Sequence, residues 1–250
     1  MRAKINKMFS FFQKNVFLAD LIEGITDFHN HILPGIDDGA NTVEDSVELI
    51  KGFKTIGINK FVATPHVIGE YYSNTPETIN KAYLKLKKSL DSSIQMNFSA
   101  EYMMDQHFVE IIENEQILPV CNRNVLVEMS YFQPPLNLNE ILFKLQSNSF
   151  SPILAHPERY GYLHRNTTEK YLDLKSRGCR FQLNMLSLSD HYGRGIQKMA
   201  YKLLEDNLID YIASDVHRVD HIEKIKKIKI NQKYLNSVKQ ITENSKNLFS

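Results

Sequence analysis

The sequence predicts an α/β fold in which a parallel sheet closes into a distorted, seven-stranded TIM-like barrel. Short apolar runs alternate with helical patterns about seven times, which is typical of parallel strands joined by helical crossovers. The chain has 250 residues, a usual length for a single α/β barrel. A doubly wound open sheet is the alternative, but the sequence contains neither a Gly-x-Gly-x-x-Gly motif nor a P-loop to support nucleotide binding on such a sheet.

The predicted strands are short apolar runs bounded by turn or polar residues. In chain order they are 24–29, 60–65, 94–100, 125–129, 152–155, 180–183 and 211–214. The first predicted helix begins at Thr42, which has Asp45 three residues later as in a capping box, and it ends at Gly57. Pro76 opens the second helix at a position where proline is tolerated. The later helices are 139–146, 168–178, 194–207 and a lysine-rich region, 223–248.

Composition and charge exclude several classes of protein. The net charge of +1 gives no strong field for nucleic acid or anionic lipid. No segment approaches the ~18 uninterrupted apolar residues of a membrane span, so we expect no integral membrane protein. Cys121 and Cys179 are too few for a disulfide framework, which fits a reducing cytoplasm. We expect residues 1–24 to form an N-terminal lead-in and residues 25–250 to form one barrel domain.

The segment "DFHNHILPGIDDGA" concentrates metal-binding residue types after the first strand. His29 and His31 are two residues apart, so along an extended strand both imidazoles face the same side. They lie at the carboxyl end of the strand, where barrel proteins build their sites. The loop that follows is expected to bring Asp37 and Asp38 back over the same mouth.

Five of the other six predicted strands also end in ionisable side chains. These side chains are His66, Glu101, Glu128, His156, Asp215 and His217. A buried carboxylate such as Glu128 is costly in an apolar strand unless it is paired, metal-bound or protonated. Nine nitrogen or oxygen donors exceed the needs of one ion and suit three adjacent ions. A mixed imidazole and carboxylate set favours manganese, iron or zinc over calcium.

Six motifs together resemble the PHP (polymerase and histidinol phosphatase) superfamily, and within it the CpsB/YwqE type of bacterial protein-tyrosine phosphatase. The motifs are "DFHNHILPGIDDGA", "VATPH", "SAE", "VEMS", "LAHPERY" and "ASDVH". The resemblance implies a distorted seven-stranded (β/α) barrel with a trinuclear metal centre, three divalent ions of manganese, iron or zinc. The ligands it implies are His29, His31, Asp38, His66, Glu101, Glu128, His156, Asp215 and His217. Asp38 is preferred over Asp37 because of its position in "DDG".

The resemblance also implies a function. The chain would hydrolyse phosphotyrosine on a membrane-bound bacterial tyrosine kinase of capsule or exopolysaccharide biosynthesis, by attack of a metal-bridging hydroxide. Arg159 resembles the family's phosphate-binding arginine, and the alternative is that it only pairs with Glu158. The family places a second arginine a few residues after the Asp-x-His pair, whereas here Arg218 follows His217 directly. Arg218 or Arg194 is the candidate for that second contact.

Several alternatives stay open at this point. Histidinol phosphate or another small phosphomonoester could be the substrate, an amidohydrolase shares the strand-borne His-x-His, and a metal-binding regulatory protein would not be catalytic. A cysteine-based phosphatase is excluded, because Val127 and Met185 stand where an arginine must follow each cysteine by six positions. His221 or Asp37 is the candidate proton donor, and Tyr71 and Tyr72 are expected to shape the substrate entrance. The oligomeric state is left open.

Overall fold

The computed structural model describes residues 16–166 and 168–250, so the first fifteen residues of the predicted lead-in lie outside the described residues. The fold is mixed α/β. The strands are β1 (Val16–Phe17), β2 (Thr26–Asp27), β3 (Lys60–Ala63), β4 (His66–Val67), β5 (Gln95–Phe98), β6 (Glu101–Met103), β7 (Asn124–Glu128), β8 (Ser151–Ala155), β9 (Arg180–Asn184), β10 (Tyr211–Ala213) and β11 (Lys229–Ile230). The α-helices are α1 (Leu18–Leu21), α2 (Val43–Lys54), α3 (Pro76–Lys87), α4 (Gln106–Glu113), α5 (Leu138–Ser147), α6 (Glu169–Ser176), α7 (Arg194–Glu205), α8 (Val219–Ile225) and α9 (Leu235–Asn247).

Parallel pairing dominates the strands, as the sequence predicts. One sheet has the order β10-β9-β8-β7-β6-β4 and a second has the order β2-β3-β5. All pairings within these two sheets are parallel. Strands β1 and β11 form a separate antiparallel pair. Since parallel strands end at the same edge of a sheet, the residues that follow them are brought together.

Backbone hydrogen bonds beyond the strand ends link the two larger sheets. The Asp215 N–H donates to the His29 carbonyl at 2.7 Å, and Asn30 and Val216 form an isolated parallel bridge. On the other side of the same segment, the Thr64 N–H donates to the Asn30 carbonyl at 3.1 Å. The segment after β2 is therefore held between the ends of β10 and β3.

Two of the predicted strands are interrupted close to the site. The predicted strand 60–65 becomes β3 and β4, and the predicted strand 94–100 becomes β5 and β6. Pro65 has no N–H to donate to the ladder. Its carbonyl still accepts from the Glu101 N–H at 3.0 Å, so the two interrupted strands stay paired across the break.

Local sequence determines the helix starts. The Thr42 hydroxyl accepts from the Asp45 N–H at 3.1 Å, and the Thr42 N–H donates to the Asp45 carboxylate at 2.9 Å, which confirms the predicted capping box. Pro76 is the first residue of α3, as predicted, and Thr75 caps that helix. Both caps satisfy backbone donors that have no partner within the helix.

Two helix predictions need correction. The sequence analysis missed α4, an eight-residue helix that the Asp105 carboxylate caps by accepting from the Phe108 N–H at 2.9 Å. It also predicted one helical region over 223–248, whereas the structure has α8, β11 and α9 there. Ile230 of β11 pairs with Val16, so a distant partner overrides the local helical preference.

The residues just before β2 pack into the core. Leu18 and Ile22 are fully buried, although they belong to the predicted lead-in. At the other end of the chain, the Phe249 ring lies 5.7 Å from the Phe28 ring, which also meets Tyr211 edge-on at 6.0 Å. Within the described ranges, no helix combines the length and the apolar character needed to cross a membrane.

Candidate metal centre

Histidine and carboxylate side chains meet at the carboxyl ends of the parallel strands. Their ligand atoms form four overlapping groups, and within each group the atoms lie within 4.8 Å of one another. Together the four groups contain all of the ligands that the sequence predicts, namely His29, His31, Asp38, His66, Glu101, Glu128, His156, Asp215 and His217. Neighbouring groups share side chains, so the four groups form one continuous cluster of potential metal ligands.

Glu101 lies at the centre of the cluster. Its Oε1 atom is 3.1 Å from His29 Nε2 and 3.2 Å from His156 Nε2. Its Oε2 atom is 3.1 Å from His66 Nδ1. Both oxygens are fully buried, so the carboxylate faces imidazoles from three different strand ends. A carboxylate in this position is suited to bridge two ions.

Asp215 and Asp38 hold the other side of the cluster. Asp215 Oδ1 lies 3.4 Å from His29 Nε2 and 3.3 Å from His31 Nε2. Asp38 Oδ1 lies 3.3 Å from His217 Nε2, and about half of the Asp38 side chain is exposed. The cluster is therefore closed on the Asp215 side and open to solvent at Asp38.

Hydrogen bonds from outside the cluster orient three of the imidazoles. Each of the three donates its Nδ1–H at 2.7 to 3.0 Å: His29 to Gln182 Oε1, His31 to Asp37 Oδ2 and His217 to the Asp215 carbonyl. A ring that donates from Nδ1 keeps the Nε2 lone pair for a metal ion. All three Nε2 atoms point into the cluster.

The "DDG" turn gives its two aspartates different roles. Asp37 is turned inward, where its carboxylate also accepts from the His66 and Gly39 backbone N–H groups at 3.2 and 3.0 Å. Asp38 faces the cluster. The turn requires Gly39, because a Cβ there would lie 2.0 Å from the His31 carbonyl oxygen.

The donor atoms fit metal ions. Seven buried atoms of the cluster have no hydrogen-bond partner among residues 16–166 and 168–250, and they are His29 Nε2, His31 Nε2, His66 Nδ1, Glu101 Oε1, Glu101 Oε2, Glu128 Oε1 and His156 Nδ1. Buried polar atoms are normally satisfied, so this concentration needs an explanation. Metal coordination supplies one, since imidazole nitrogen and carboxylate oxygen are the ligands of zinc, iron and manganese sites.

The electrostatics of the cluster point the same way. Burial and the neighbouring charge of Glu101 raise the pKa of Glu128. Although burial opposes it, the imidazoles of His29 and His66 hold the pKa of Glu101 well below its usual value. Burial and the nearby Arg159 lower the pKa of His156 to about 4. Neutral His156 is the form that binds a metal. The carboxylates raise the pKa values of His29, His31 and His66 although burial opposes this, so these imidazoles carry the cationic charge that bound metal ions would replace.

Two ligands occupy strained backbone positions. His156 and Asp215 have φ values of 36° and 52°, in the left-handed region that side chains other than glycine rarely adopt. Each of their N–H groups donates to the neighbouring strand, His156 to the Gln182 carbonyl at 2.8 Å and Asp215 to the His29 carbonyl at 2.7 Å. Strain of this kind costs about 1–3 kcal/mol per residue and concentrates at functional sites.

A pocket of about 310 Å³ opens onto the cluster. Its wall includes the ligands His66, His156 and Asp215, the aromatic side chain of Tyr131, and Arg159. The volume suits a small ligand or one side chain of a larger substrate.

Arg159 is held rigidly in the wall of this pocket. Its Nη1 atom donates to Asp215 Oδ2 at 2.8 Å, and its guanidinium carbon lies 4.8 Å from the centre of the Tyr131 ring and 4.2 Å from that of Tyr192. Glu158 does not contact it; the Glu158 carboxylate accepts from the Asn184 N–H at 3.0 Å instead. A guanidinium fixed between two rings can present its remaining N–H groups to an oxyanion.

The structure places other predicted residues around or outside the pocket. The Arg218 side chain is 67% exposed and pairs with Asp220 at 3.4 Å. Its guanidinium also lies 3.3 Å from the buried ring of His221. Neither Arg218 nor His221 is part of the pocket wall, and neither is the exposed Arg194 at the start of α7. Tyr72 does line the pocket, where its ring stacks on His66.

Sequence reasoning missed several supporting residues. Gln182 and Asn184 lie on β9, the one predicted strand with no ionisable ligand. Gln182 orients His29, and Asn184 Nδ2 donates to Asp215 Oδ2 at 2.8 Å. A signal was available in "RFQLN", where polar amides alternate with apolar residues of a buried strand. Tyr131 and Tyr192 gave no comparable signal.

Fold and site together define a class, a parallel α/β protein whose strand ends carry a histidine and carboxylate cluster able to hold metal ions. Residues 25–249 match the family model described as capsular polysaccharide synthesis, CpsB/CapC. The chain belongs to this CpsB/CapC family.

Relatives of the chain support the assignment. It is 30% identical to the putative tyrosine-protein phosphatase CapC of Staphylococcus aureus, over 78% of each chain. It is also 30% identical to the tyrosine-protein phosphatase YwqE of Bacillus subtilis, over 77% of each chain.

Solved structures agree with the sequence comparison. A structure described with YwqE from Bacillus subtilis and CpsB from Streptococcus pneumoniae as metal-dependent tyrosine phosphatases matches with a TM-score of 0.78 at 28% identity, covering 90% of this chain and 94% of the other. The phosphotriesterase homology protein of Escherichia coli matches with a TM-score of 0.56 at 12% identity, covering 92% of this chain and 99% of the other. At that identity the second match shows the fold alone.

Proposed function

We propose that this protein is a metal-dependent protein-tyrosine phosphatase that acts on a tyrosine-phosphorylated bacterial kinase of capsule or exopolysaccharide biosynthesis. The observation that carries the proposal is the gathering of nine potential metal-ligand side chains in one cluster, with Arg159 in the wall of the pocket that opens onto it, in a chain of the CpsB/CapC family. The curated relatives that support it are named as tyrosine-protein phosphatases. Cys121 and Cys179 are free thiols, which suits a cytoplasmic location.

The nine ligands would hold three divalent ions, with manganese the first choice and iron or zinc the others. Glu101 is placed to bridge two ions, because its two oxygens face different imidazoles. His29, His31 and His66 each belong to two of the four ligand groups, so the possible ion positions would lie next to one another. When bound, such ions supply a water whose pKa is lowered towards neutrality and a Lewis acid for phosphoryl oxygen.

The chain's own residues would bind the substrate and orient the imidazoles. The pocket admits the phosphorylated side chain, and Tyr72 and Tyr131 form apolar walls on which an aryl ring can pack. Arg159 would hold two phosphoryl oxygens with its free N–H groups while Asp215 fixes its position. Gln182 and Asp37 keep the ligand imidazoles in one tautomer and orientation, so the site is preorganised before substrate arrives.

We also infer that strands β2 to β10 form one distorted barrel of seven strands, in a single domain of residues 25–250. In this interpretation β3 with β4, and β5 with β6, are each one strand with a short break. The bridge between Asn30 and Val216 and the hydrogen bond from Thr64 to Asn30 support closure between β10, β2 and β3.

The activity can be tested together with the absence of a cysteine nucleophile. We expect purified protein to release phosphate from a phosphotyrosine peptide, and the double variant Cys121→Ser and Cys179→Ser to keep near-normal turnover. Burial raises the pKa of the Cys179 thiol to about 12 and also raises that of Cys121, so neither forms a thiolate readily.

Phosphoserine peptide and histidinol phosphate should be poor substrates in the same assay. Faster turnover of histidinol phosphate would instead assign a small-molecule phosphatase. No turnover of any substrate by metal-loaded protein would assign a regulatory metal-binding protein.

Metal content is a second test. We expect protein purified without a polyhistidine tag to contain more than one transition-metal ion per chain, because the cluster offers overlapping groups of donors. Elemental analysis after incubation with manganese, iron or zinc measures the number and the preference. A content well below one ion per chain under all three conditions would rule out a polynuclear centre.

A further inference from the structure

The loop after β7 carries large apolar side chains that face solvent. Phe132 is 94% exposed and Leu136 is 98% exposed. Phe132 also belongs to the wall of the metal pocket, so this apolar surface begins at the pocket mouth. Tyr71, which is 85% exposed, lies in the chain between the pocket residues Ile68 and Tyr72. Exposed apolar side chains grouped around a pocket are a feature of binding surfaces.

A second, mostly apolar hollow of about 350 Å³ lies behind the same loop. Its walls come from the loop itself and from the start of α5, the 3-10 turn at 161–166 and α6. The apolar lining residues are Met129, Pro134, Leu138, Tyr162, Leu163 and Leu174. No residue of this hollow belongs to the metal cluster.

The hollow and the metal pocket are neighbours with a common wall. The Tyr131 ring lies 5.7 Å from that of Tyr160, which stacks on Tyr162 at 5.9 Å, so a row of rings leads from the pocket to the hollow. The Tyr162 hydroxyl donates to the Ser130 carbonyl at 2.9 Å and fixes the loop between them. An extended chain advances ~3.3 Å per residue, so a side chain about three residues from a phosphotyrosine in the pocket reaches the hollow.

We propose that this hollow binds a large apolar side chain of the phosphotyrosyl polypeptide, about three residues from the phosphotyrosine. Its rim is defined here by the exposed loop residues Phe132 and Leu136, each two positions along the chain from the lining residue Pro134. The inference rests on the proposed function, because it takes the metal pocket as the phosphotyrosine site. The occupant we infer is the substrate chain, because the exposed Phe132 is part of the pocket wall and the row of rings from Tyr131 to Tyr162 joins the pocket to the hollow. Substrate selection then depends on an apolar flanking residue as well as on the phosphoryl group.

The test uses the metal-loaded full chain and paired phosphotyrosine peptides. In each pair a single flanking residue, two to four positions from the phosphotyrosine on either side, is leucine in one peptide and serine in the other. At one of these positions we expect the leucine peptide to have a kcat/KM about tenfold higher, mainly through a lower KM, because one apolar side chain is withdrawn from water. Equal kcat/KM for all pairs would overturn the proposal.

Variants of the protein test whether the preference for leucine peptides arises at this hollow. Leu136→Ser removes the exposed rim residue, and Glu169→Trp places a large ring at the exposed edge of the hollow. Each should remove most of the preference for leucine, measured as the ratio of kcat/KM between the paired peptides. Phe143→Ser is the matched control, since Phe143 is 69% exposed on α5 but belongs to neither the hollow nor the metal pocket. A preference unchanged in both Leu136→Ser and Glu169→Trp would contradict the assignment to this hollow.

Turnover of p-nitrophenyl phosphate distinguishes failure of the docking proposal from failure of the proposed phosphatase function. If the protein hydrolyses this small aryl phosphate and all peptides without discrimination, the docking proposal fails and the proposed function stands. If it hydrolyses neither aryl phosphate nor peptide, the proposed function itself fails. The competing occupant of the rim is a second copy of the chain, and sedimentation analysis of wild-type and Leu136→Ser protein tests it. Self-association of the wild type that Leu136→Ser abolishes would assign the rim to that second copy instead of the substrate.

Discussion

Replacing Glu101 by glutamine should lower turnover of phosphotyrosine peptides by about a thousandfold or more and reduce the metal content of the protein. The substitution keeps the size of the side chain but removes the charge that faces His29, His66 and His156. An amide binds transition-metal ions poorly, and without the central carboxylate the positive charge of adjacent ions is no longer offset. Turnover and elemental content are measured on the same preparations, with the wild-type protein after chelation as the reference for a metal-free site.

Glu110→Gln is the matched control for this experiment. Glu110 is an exposed carboxylate on α4, and its change to glutamine should leave rate and metal content near those of the wild type. Near-normal turnover of Glu101→Gln, with metal bound, would remove Glu101 from the centre and leave Glu128 and Asp215 as the bridging candidates. Survival of wild-type activity after complete chelation would overturn the metal mechanism as a whole.

The clustering of these nine residues was predictable from the sequence because strand ends are visible there. A short apolar run that ends in histidine or a carboxylate marks both a strand and the edge at which its ligand lies, and in a parallel sheet those edges coincide. His29 and His31 were predicted from strand periodicity, although β2 ends at Asp27 and both histidines follow it. The choice of Asp38 over Asp37 could not be made from periodicity and needed the family resemblance. The structure shows that Asp37 turns inward to His31.

The supporting contacts could not be predicted in the same way, because they depend on pairs that are far apart in the chain. Gln182 reaches His29 across 153 positions, and the sequence does not indicate that pair. Likewise β11 exists only because Val16 pairs with Ile230, and a lysine-rich helical pattern hid it. The aromatic contacts of Arg159 come from two separate loops. Local patterns therefore predicted the ligands, and tertiary packing determined how the ligands are held.

Replacing Arg159 by alanine should lower kcat/KM by about a hundredfold or more for phosphotyrosine peptides and p-nitrophenyl phosphate alike. Both substrates carry the same phosphoryl group, and the loss of one preorganised donor to its developing charge has this size. Arg159→Lys should recover only part of the rate, because an ammonium cannot make a planar two-point contact. Weaker inhibition of the alanine variant by inorganic phosphate would report the same lost contact without turnover.

Metal content distinguishes this role from a structural one. Arg159 donates to Asp215 Oδ2 at 2.8 Å, so its removal takes one hydrogen bond from a predicted metal ligand. Asn184 Nδ2 donates to the same oxygen at 2.8 Å, and Asp215 should therefore stay in place and the ions should stay bound. The exposed Arg218, changed to alanine, should cause a much smaller loss of rate, since it lies outside the pocket wall. Loss of metal from Arg159→Ala would make Arg159 a support for Asp215, and a larger effect at Arg218 would move the phosphate contact there.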